Sequence, residues 1–234
     1  MPVSERALNR PVAEGGTLSE RAASLIEQDI LAGHLPPGSR LGIVELVQRY
    51  EIGATPLREG LSRLMSRGLI VGIGQRGFRV AEISREDLAD ITCMRTAIEI
   101  AAVRLAIKRG DDAWEAGILS ALHQMRRHIE RTGNEFREGA ADFDRLHKGF
   151  HTSLLAACGS QRMLAAHSDL YDQAYRYRRV MMRAIASGED FIHSHQMLAD
   201  RVLARDVAAA QMMLEAHLRS TIDFVYPSSD EGQS

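Results

Sequence analysis

The sequence predicts a mainly α-helical protein, in which three short helices and a β-hairpin precede an all-α bundle of about six helices. Two observations predict this class. Apolar residues recur every three to four positions along most of the chain, as on the buried face of a helix. Strand-like segments occur only at residues 69–71 and 77–80, and no strand pattern follows Ser84. One small sheet is therefore expected beside the helices.

The composition is that of an ordinary globular chain, with 234 residues, 45% of them hydrophobic and 26% charged. The two cysteines, Cys93 and Cys158, cannot build a disulfide framework, which favours a reducing, cytoplasmic compartment. No apolar run approaches the roughly 18 residues that a membrane span needs, and residues 1–16 contain no hydrophobic signal core. We therefore expect a cytoplasmic protein with no membrane partner, and we exclude the secreted, membrane and disordered classes.

Proline, glycine and the change of periodicity divide the chain into four segments. Residues 1–16 have no period and are expected to form a flexible tail. Residues 17–82 hold the three short helices and the hairpin, and residues 84–226 hold the helical bundle. Residues 227–234 are expected to form a second tail. The two structured segments are predicted to be separate domains.

The first structured segment has the element order of a winged helix-turn-helix. In order, its predicted elements are a helix from Leu18 to the break at Gly33, helices over Ile43–Tyr50 and Pro56–Arg67, and strands over 69–71 and 77–80. The strands enclose a basic, Gly-rich tip, which is typical of a wing. In such a domain the third helix enters the major groove of DNA.

Positive charge is concentrated on this segment, although the whole chain has a formal net charge of -2. Residues 40–80 carry seven Arg against three Glu, a local excess of four positive charges. Thr55 and Arg58, at the start of the third helix, are placed to reach bases or phosphates, and Gly77 lets the wing backbone approach a minor groove. The residues predicted to contact double-stranded DNA are Arg40, Thr55, Pro56, Arg58, Arg63, Gln75, Arg76 and Gly77.

A more specific pattern extends over residues 18–82. It consists of Gly33, Pro37-Gly38, Leu41, Glu45-Leu46, Thr55-Pro56-Leu57-Arg58-Glu59, Leu64, Gly68-Leu69 and Arg76-Gly77-Phe78. With this pattern the segment resembles the DNA-binding domain of the GntR family of bacterial regulators. Where that family commonly has Ser-Arg before Thr-Pro, this chain has Gly53-Ala54, so an Arg that would contact a base or phosphate is missing. Gly60 also replaces a common Ala, at a cost of roughly 0.5–1 kcal/mol of helix preference.

Four of the nine histidines are predicted on apolar helix faces of the second segment. His147 and His151 lie one turn apart on one face, and His195 and His217 lie on the apolar stripes of two later helices. One buried imidazole is ordinarily a hydrogen-bonded core residue, but four that converge are difficult to satisfy by hydrogen bonds alone. A divalent metal ion would satisfy them together. The other histidines are expected at the surface or in local contacts: His34, His123, His128, His167 and His193.

A second pattern extends over about residues 85–224. It consists of Met94-Arg95 with Glu99, Phe150-His151-Thr152, Leu154, Ala157, Cys158-Gly159-Ser160, Arg176-Tyr177-Arg178, His195 with Leu198, Leu203-Ala204-Arg205-Asp206, and His217. With it the segment resembles the FCD-type ligand-binding domain of the FadR-like branch of GntR regulators, and within that branch the carbon-starvation-induced repressor subgroup. The resemblance implies a metal held by one Asp and three His, which by position are His151, His195 and His217. The Asp position is His147 in this chain, and Asp144, one turn away, is the reserve ligand.

The histidine at the aspartate position changes the charge of the implied site. A divalent ion with one Asp and three neutral His carries one net positive charge, whereas four neutral His leave two. The expected ion is Zn²⁺, with Ni²⁺ or another first-row metal as alternatives, and the expected guest is a small carboxylate, in particular a dicarboxylate. Arg95 and Arg178 are predicted to anchor this effector. For Arg95 a structural salt bridge with Glu99 is the alternative, and for Arg178 a solvated helix face.

These patterns predict a ligand-responsive transcriptional regulator, in particular a repressor, that binds an operator as a homodimer and senses a carboxylate through a metal. Half-sites about 34 Å apart would match a symmetric dimer. A repressor that senses the metal itself, or that holds a structural metal, is the alternative. A metalloenzyme is a more distant one, because Lys148 follows His147 in place of the Glu of His-Glu-x-x-His, and P-loop and Gly-x-Ser-x-Gly motifs are absent from the sequence. We therefore predict no enzymatic activity.

Overall fold

The structure is a computed structural model that describes residues 16–74, 77–133, 141–184 and 187–226. The chain divides into two compact units, Met1–Ala81 and Glu82–Ser234. Both units are mainly helical, which confirms the predicted fold class. No helix in the described residues is long and apolar enough to cross a membrane.

In its described residues, the first unit contains three α-helices and a small antiparallel sheet. The sheet has three strands in the order β1-β3-β2, whereas the sequence predicted a two-stranded hairpin. The additional strand, β1, pairs Arg40 with Arg79 and Leu41 with Phe78 of β3. Two residues are too short for an alternating pattern, so β1 left no periodic signal in the sequence. The elements are α1 (Leu18–Leu31), β1 (Arg40–Leu41), α2 (Ile43–Tyr50), α3 (Ala54–Ser66), β2 (Ile70–Gly72) and β3 (Phe78–Val80).

The start of α1 is defined by a reciprocal cap. The Thr17 hydroxyl accepts a hydrogen bond from the backbone N–H of Glu20, and the Glu20 carboxylate accepts one from the backbone N–H of Thr17. Two backbone donors that the helix cannot satisfy internally are thereby satisfied. The buried face of α1 then packs along α3 through Ala22 and Ile26, both fully buried.

The third helix begins at Ala54, two residues before the predicted start at Pro56. Gly53 occupies the N-cap position and supplies no side-chain hydrogen bond to the helix. Because the first turn of a helix leaves its N–H groups unbonded in any case, Pro56 is accommodated inside that turn. Leu57 and Leu61 of α3 are fully buried in the core of this unit.

The second unit consists of six long helices and one short 3-10 helix in the described residues. The Ser84 hydroxyl caps the first of these helices by accepting a hydrogen bond from the backbone N–H of Asp87, at 3.1 Å. The α-helix that begins at Ala141 ends at Leu155, and the chain continues as a 3-10 turn, Ala156–Cys158. The helices are α4 (Arg85–Arg109), α5 (Asp112–Thr132), α6 (Ala141–Leu155), α7 (Gln161–Ala184), α8 (Gly188–Leu203) and α9 (Val207–Val225).

Inward-facing side chains from α4, α5, α6, α8 and α9 form the main apolar core of this bundle. Phe150 and Leu154 of α6, Val202 of α8 and Leu214 of α9 are all buried within it. The core therefore lies directly beside the α6, α8 and α9 positions on which histidines were predicted, and it fixes the relative placement of those helices.

Candidate functional site

The structure brings the four predicted histidines together in one cluster. His147 and His151 lie on α6, His195 on α8 and His217 on α9, and each offers one ligand atom within 4.8 Å of the others. The Nε2 atom of His147 lies 2.8 Å from that of His195 and 3.1 Å from that of His151. The Nε2 atom of His217 lies 3.3 Å from that of His151. The cluster is buried except for His217, which is partly exposed.

Contacts behind the cluster fix the orientation of two imidazoles. The Nδ1 atom of His195 lies 2.6 Å from the Phe191 carbonyl oxygen. Because a carbonyl oxygen only accepts, the proton of His195 resides on Nδ1 and its Nε2 lone pair faces the cluster. The Nδ1 atom of His147 contacts the Tyr171 hydroxyl. Such partners behind an imidazole are what orients histidine ligands in metal sites.

The donor set fits a divalent metal ion. Burial lowers the pKa of His151 well below its usual value, and the neighbouring charges of His217, His195 and Arg95 lower it further. His151 is therefore neutral near pH 7, the form that binds metals. Nε2 atoms bound tetrahedrally at 2.0–2.1 Å from Zn²⁺ would lie roughly 3.3–3.4 Å apart. Three observed contacts of 2.8–3.3 Å are close to this value, and all four ligand atoms lie within 4.8 Å of one another. Lone pairs that face one another at these distances repel unless a cation or a proton lies between them.

Asp144, the reserve ligand, is not part of this cluster. It lies on α6 and is partly exposed. Within the described residues, the group of side chains placed to hold a metal consists of the four histidines. His147 thus occupies the place at which the family resemblance implied an aspartate.

A cavity of about 40 Å³ adjoins the cluster and is partly open to solvent. Arg95 reaches it from α4, and its side chain is 8% exposed. The Arg95 Nε donates a hydrogen bond to Glu99 Oε1 at 2.7 Å, while its Nη2 has no hydrogen-bond partner among the described residues. The sequence left two alternatives for Arg95, a salt bridge with Glu99 and a position at the effector cavity. In the structure Arg95 has both. The lining residues are Arg95, His147, His151, Tyr171, Ala174, Tyr175, Phe191, His217, Leu218, Ser220 and Thr221.

His167 was predicted at the surface or in a local contact, but the structure buries it completely. Its Nδ1 lies 3.1 Å from Glu99 Oε1. Burial by itself raises the pKa of Glu99, yet the charge of Arg95 and the contact with His167 outweigh burial and lower it. The signal in the sequence was the spacing of His167 and Tyr171, which puts both residues on the inner face of α7.

Tyr171 is a second residue that the sequence analysis did not select. Its hydroxyl contacts His147, and its ring lies between two cations, 5.3 Å from the Arg95 guanidinium and 5.7 Å from the Lys148 ammonium. Lys148 in turn donates hydrogen bonds to both carboxylate oxygens of Asp172, at 2.7 Å. A cation over a tyrosine ring is stabilised by the negative face of the ring, so α6 and α7 are held together beside the cluster.

Four of the residues predicted to contact DNA occupy outward positions in the first unit. Thr55 and Arg58 are exposed in the first two turns of α3, and Arg40 is exposed on β1. Gly77 follows the wing tip with a φ of 100°, which favours glycine. Pro56 is partly buried beside them.

The remaining predicted contacts are constrained by their surroundings or fall outside the described residues. Arg63 is exposed, but its Nη1 lies 3.4 Å from Glu20 Oε1 on α1. Gln75 and Arg76 lie outside the described residues, and so does the side chain of Arg178.

Comparison with known proteins shows the family. The model of the bacterial regulatory proteins of the gntR family matches residues 18–80, and the FCD domain model matches residues 90–220. The chain therefore belongs to the GntR family and carries an FCD domain. It is a transcriptional regulator, which confirms the prediction that it is not an enzyme.

Curated relatives and solved structures agree with this assignment. The chain is 36% identical over 204 residues to the HTH-type transcriptional repressor GlaR of Escherichia coli K12, covering 86% of this chain and 92% of GlaR. It is 34% identical over 215 residues to the HTH-type transcriptional regulator BphR of Paraburkholderia xenovorans, covering 92% of this chain and 88% of BphR. The structure of Escherichia coli McbR/YncC shares the fold with a TM-score of 0.74 at 21% identity, covering 90% of this chain and 98% of that one.

Proposed function

We propose that this regulator represses transcription as a homodimer, and that its helical unit holds a divalent metal and binds a small carboxylate effector there. The proposed ion is Zn²⁺, with Ni²⁺ or another first-row metal as alternatives. The observation that carries the proposal is the convergence of four histidine Nε2 atoms on one point. His147, His151, His195 and His217 would hold the ion.

Charge favours an anionic effector at such a site. Four neutral imidazoles leave both positive charges of a divalent ion uncompensated, and a bound ion supplies a positive centre that attracts a carboxylate. The cavity beside the cluster, at about 40 Å³, is the place for that guest, and it would have to widen to admit a dicarboxylate. A dicarboxylate is the favoured guest because a second cationic group lies in the same cavity.

That second group is Arg95. Its Nη2 is buried and without a hydrogen-bond partner among the described residues, while Glu99 holds the Nε side of the guanidinium. A buried donor that lacks a partner is costly, so a carboxylate oxygen that accepts from Nη2 would be bound firmly. Because the Arg95 side chain is only 8% exposed, the charge-assisted hydrogen bond would be stronger than at the surface.

One observation favours a second candidate, in which the metal is structural or is itself the signal. Four histidines complete a tetrahedral shell, and closed shells are typical of structural sites, whereas sites that bind a guest keep an open position. An effector would then have to expand the coordination, displace one histidine, or bind through Arg95 alone.

Thermal unfolding of the full chain distinguishes the two candidates. The protein is melted before and after treatment with a chelator, then with added Zn²⁺, and against a panel of mono- and dicarboxylic acids. A ligand at 100 times its Kd stabilises the native state by about 2.7 kcal/mol. We expect chelation to lower the Tm, and one acid to raise the Tm of the metal-loaded protein alone.

The matched variants are His217→Ala, which removes a predicted ligand, and His193→Ala, which removes an exposed histidine of α8. His217→Ala should abolish the effect of chelation, and His193→Ala should retain it. A chelation effect without any response to acids would favour the structural or metal-sensing candidate. The same Tm before and after chelation, with no bound metal detected by elemental analysis, would contradict both.

A further inference from the structure

One stretch of α7 contacts both the histidine cluster and the chain that enters α4. At residue 171 the tyrosine hydroxyl contacts His147, and the following carboxylate, Asp172, binds Lys148 beside it. Ala174 and Tyr175, half a turn further, line the cavity. The four residues named on α7 are all buried. The histidine cluster is therefore in direct contact with this part of α7.

The next two residues of α7 hold the segment that begins the second unit. The Tyr177 hydroxyl donates to Asp87 Oδ2 at 2.6 Å and accepts from the Ser84 backbone N–H at 2.9 Å. The Arg176 guanidinium donates to the Glu82 carbonyl oxygen at 3.0 Å and to Asp87 Oδ2 at 3.2 Å. These bonds fix the residues that follow Ala81, the last residue of the first unit.

The buried surroundings of Tyr177 stabilise the hydrogen bonds of its hydroxyl. Its ring is fully buried in a cluster with Leu88, Ile91 and Ala174. Burial and the hydrogen bond to Asp87 raise the pKa of the Tyr177 hydroxyl, so it remains a donor throughout the physiological range. The Arg176 side chain is 2% exposed. The Tyr177 hydroxyl and the Arg176 guanidinium thus both bind residues 82–87. Their loss would remove hydrogen-bond partners of the Ser84 N–H and the Glu82 carbonyl oxygen.

We propose that residues 171–177 of α7 transmit the state of the histidine cluster to residues 82–87, with Arg176 and Tyr177 as the positioning residues. The distance along the helix axis between residues 171 and 177 is about 9 Å, and a packed helix moves over such a length as a rigid body. Occupation of the cluster changes what Tyr171 contacts, and α7 carries that change to the segment leading into α4. The inference rests on the proposed function, because it requires that the cluster bind a metal.

The test compares the full-length wild type with Tyr177→Phe, using Zn²⁺ alone as the probe. The variant keeps the buried ring and removes the hydroxyl that binds Ser84 and Asp87. Tyr226→Phe is the matched control, because Tyr226 packs against the same apolar cluster and takes no part in the bonds at residues 82–87. Asp87→Asn is a second variant in case Tyr177→Phe folds poorly, since the Asp87 side chain is 46% exposed.

Three quantities are measured with and without Zn²⁺: the Tm, hydrogen exchange in peptides that cover residues 82–88, and affinity for a duplex selected from random DNA by the wild type. In the wild type and Tyr226→Phe, Zn²⁺ should raise the Tm, alter exchange at residues 82–88 and change DNA affinity roughly fivefold or more. In Tyr177→Phe and Asp87→Asn, the Zn²⁺ affinity should stay within about threefold of wild type. The change in DNA affinity should fall below about twofold, and exchange at residues 82–88 should become independent of Zn²⁺.

The inference is overturned if Tyr177→Phe or Asp87→Asn retains the full Zn²⁺ response in DNA affinity. It is also overturned if Zn²⁺ binds the wild type and leaves both exchange at residues 82–88 and DNA affinity unchanged. Failure of the proposed function has a different signature, which is a wild-type Tm that does not respond to Zn²⁺ at all.

Discussion

At the scale of single residues, Gly60 shows how packing can reverse an expectation based on propensity. The sequence marked it as a weak point of the third helix, because glycine disfavours helices. In the structure a Cβ at this position would lie 2.9 Å from the Ala23 backbone nitrogen and 3.1 Å from the Ser19 carbonyl oxygen, both on α1. Gly60 therefore lies at a close approach between α1 and α3, where two of the three nearest atoms belong to backbone that cannot easily move.

We expect Gly60→Ala to destabilise the first unit by about 1–3 kcal/mol, although alanine gains roughly 1 kcal/mol in helix propensity. Denaturant unfolding of the full chain provides the measurement. Gly117→Ala is the control, because Gly117 lies in α5 with nothing within 4 Å of the added carbon. The control should be neutral or stabilising. Equal stabilisation by both substitutions would show that α1 moves aside.

The cluster also shows how far residues could be predicted individually. Helical spacing was sufficient to select His147, His151, His195 and His217, because each repeats the phase of its own apolar stripe. Asp144 and His147 could not be ranked without coordinates, since one turn of a helix separates them. His167 was misassigned because its spacing from Tyr171, which puts both residues on one face of α7, was not used. Its burial depends on Glu99, a residue of a different helix.

At the scale of elements, α1 and α2 are joined through one buried carboxylate. Asp29 of α1 accepts hydrogen bonds from Arg49 Nε and the Tyr50 hydroxyl of α2, both at 2.7 Å. His34 Nδ1 lies 3.2 Å from its other oxygen. Burial by itself raises the pKa of Asp29, but these hydrogen bonds and the charge of Arg49 outweigh burial and lower it.

The lowered pKa of Asp29 predicts a pH dependence. Because the folded-state pKa lies below the unfolded value of 3.8, the carboxylate stabilises the fold above about pH 4, and this contribution is lost as the pH falls through the folded-state pKa. Asp29→Asn should therefore lower the free energy of unfolding by about 1–3 kcal/mol at pH 7 and by less at pH 3.5. Urea unfolding at both values tests this, with exposed Asp90→Asn as the control for the loss of one charge. If Asp29→Asn lowers the free energy of unfolding equally at pH 7 and pH 3.5, the lowered pKa of Asp29 is contradicted.

The helices were the elements that could be predicted most closely, and the small sheet was the least. Long amphipathic helices such as α5 repeat their signal over several turns. Glycines such as Gly110 and Gly133 act as caps at helix ends. The strand β1 contains two residues and exists only because β3 offers it a partner. Its formation is a tertiary event, for which a local pattern contains no information. The start of α3 was placed two residues late because proline was taken as the first helical residue.

At the scale of the whole molecule, DNA affinity should depend on the outward arginines of the first unit and not on its overall charge. Arg58 is exposed on α3, whereas Arg63 on the same helix is directed to Glu20 of α1. We expect Arg58→Ala to weaken binding to a selected operator by roughly tenfold or more, and to reduce the slope of log affinity against log salt by about one.

Arg63→Ala is the matched control on the same helix, and it should weaken binding by less than about threefold. Fluorescence anisotropy over a series of salt concentrations measures both quantities. If the two substitutions are equally harmful, the Arg63–Glu20 pair opens on the DNA, as exposed ion pairs readily do. The proposed homodimer predicts in addition that the selected sites are two-fold symmetric.

The order of the elements along the chain has a consequence for the newly synthesised protein. The first unit is complete at Ala81, whereas the histidine cluster requires His217 of α9. At translation speeds of roughly 5–20 residues per second, about 7–27 seconds separate the emergence of these two positions. During that interval the nascent polypeptide has a complete first unit, while the second unit still lacks part of its histidine cluster. On the proposed function, a shortage of metal would lengthen this interval, so the age of each molecule, as well as its ligand, would determine how it binds at a promoter.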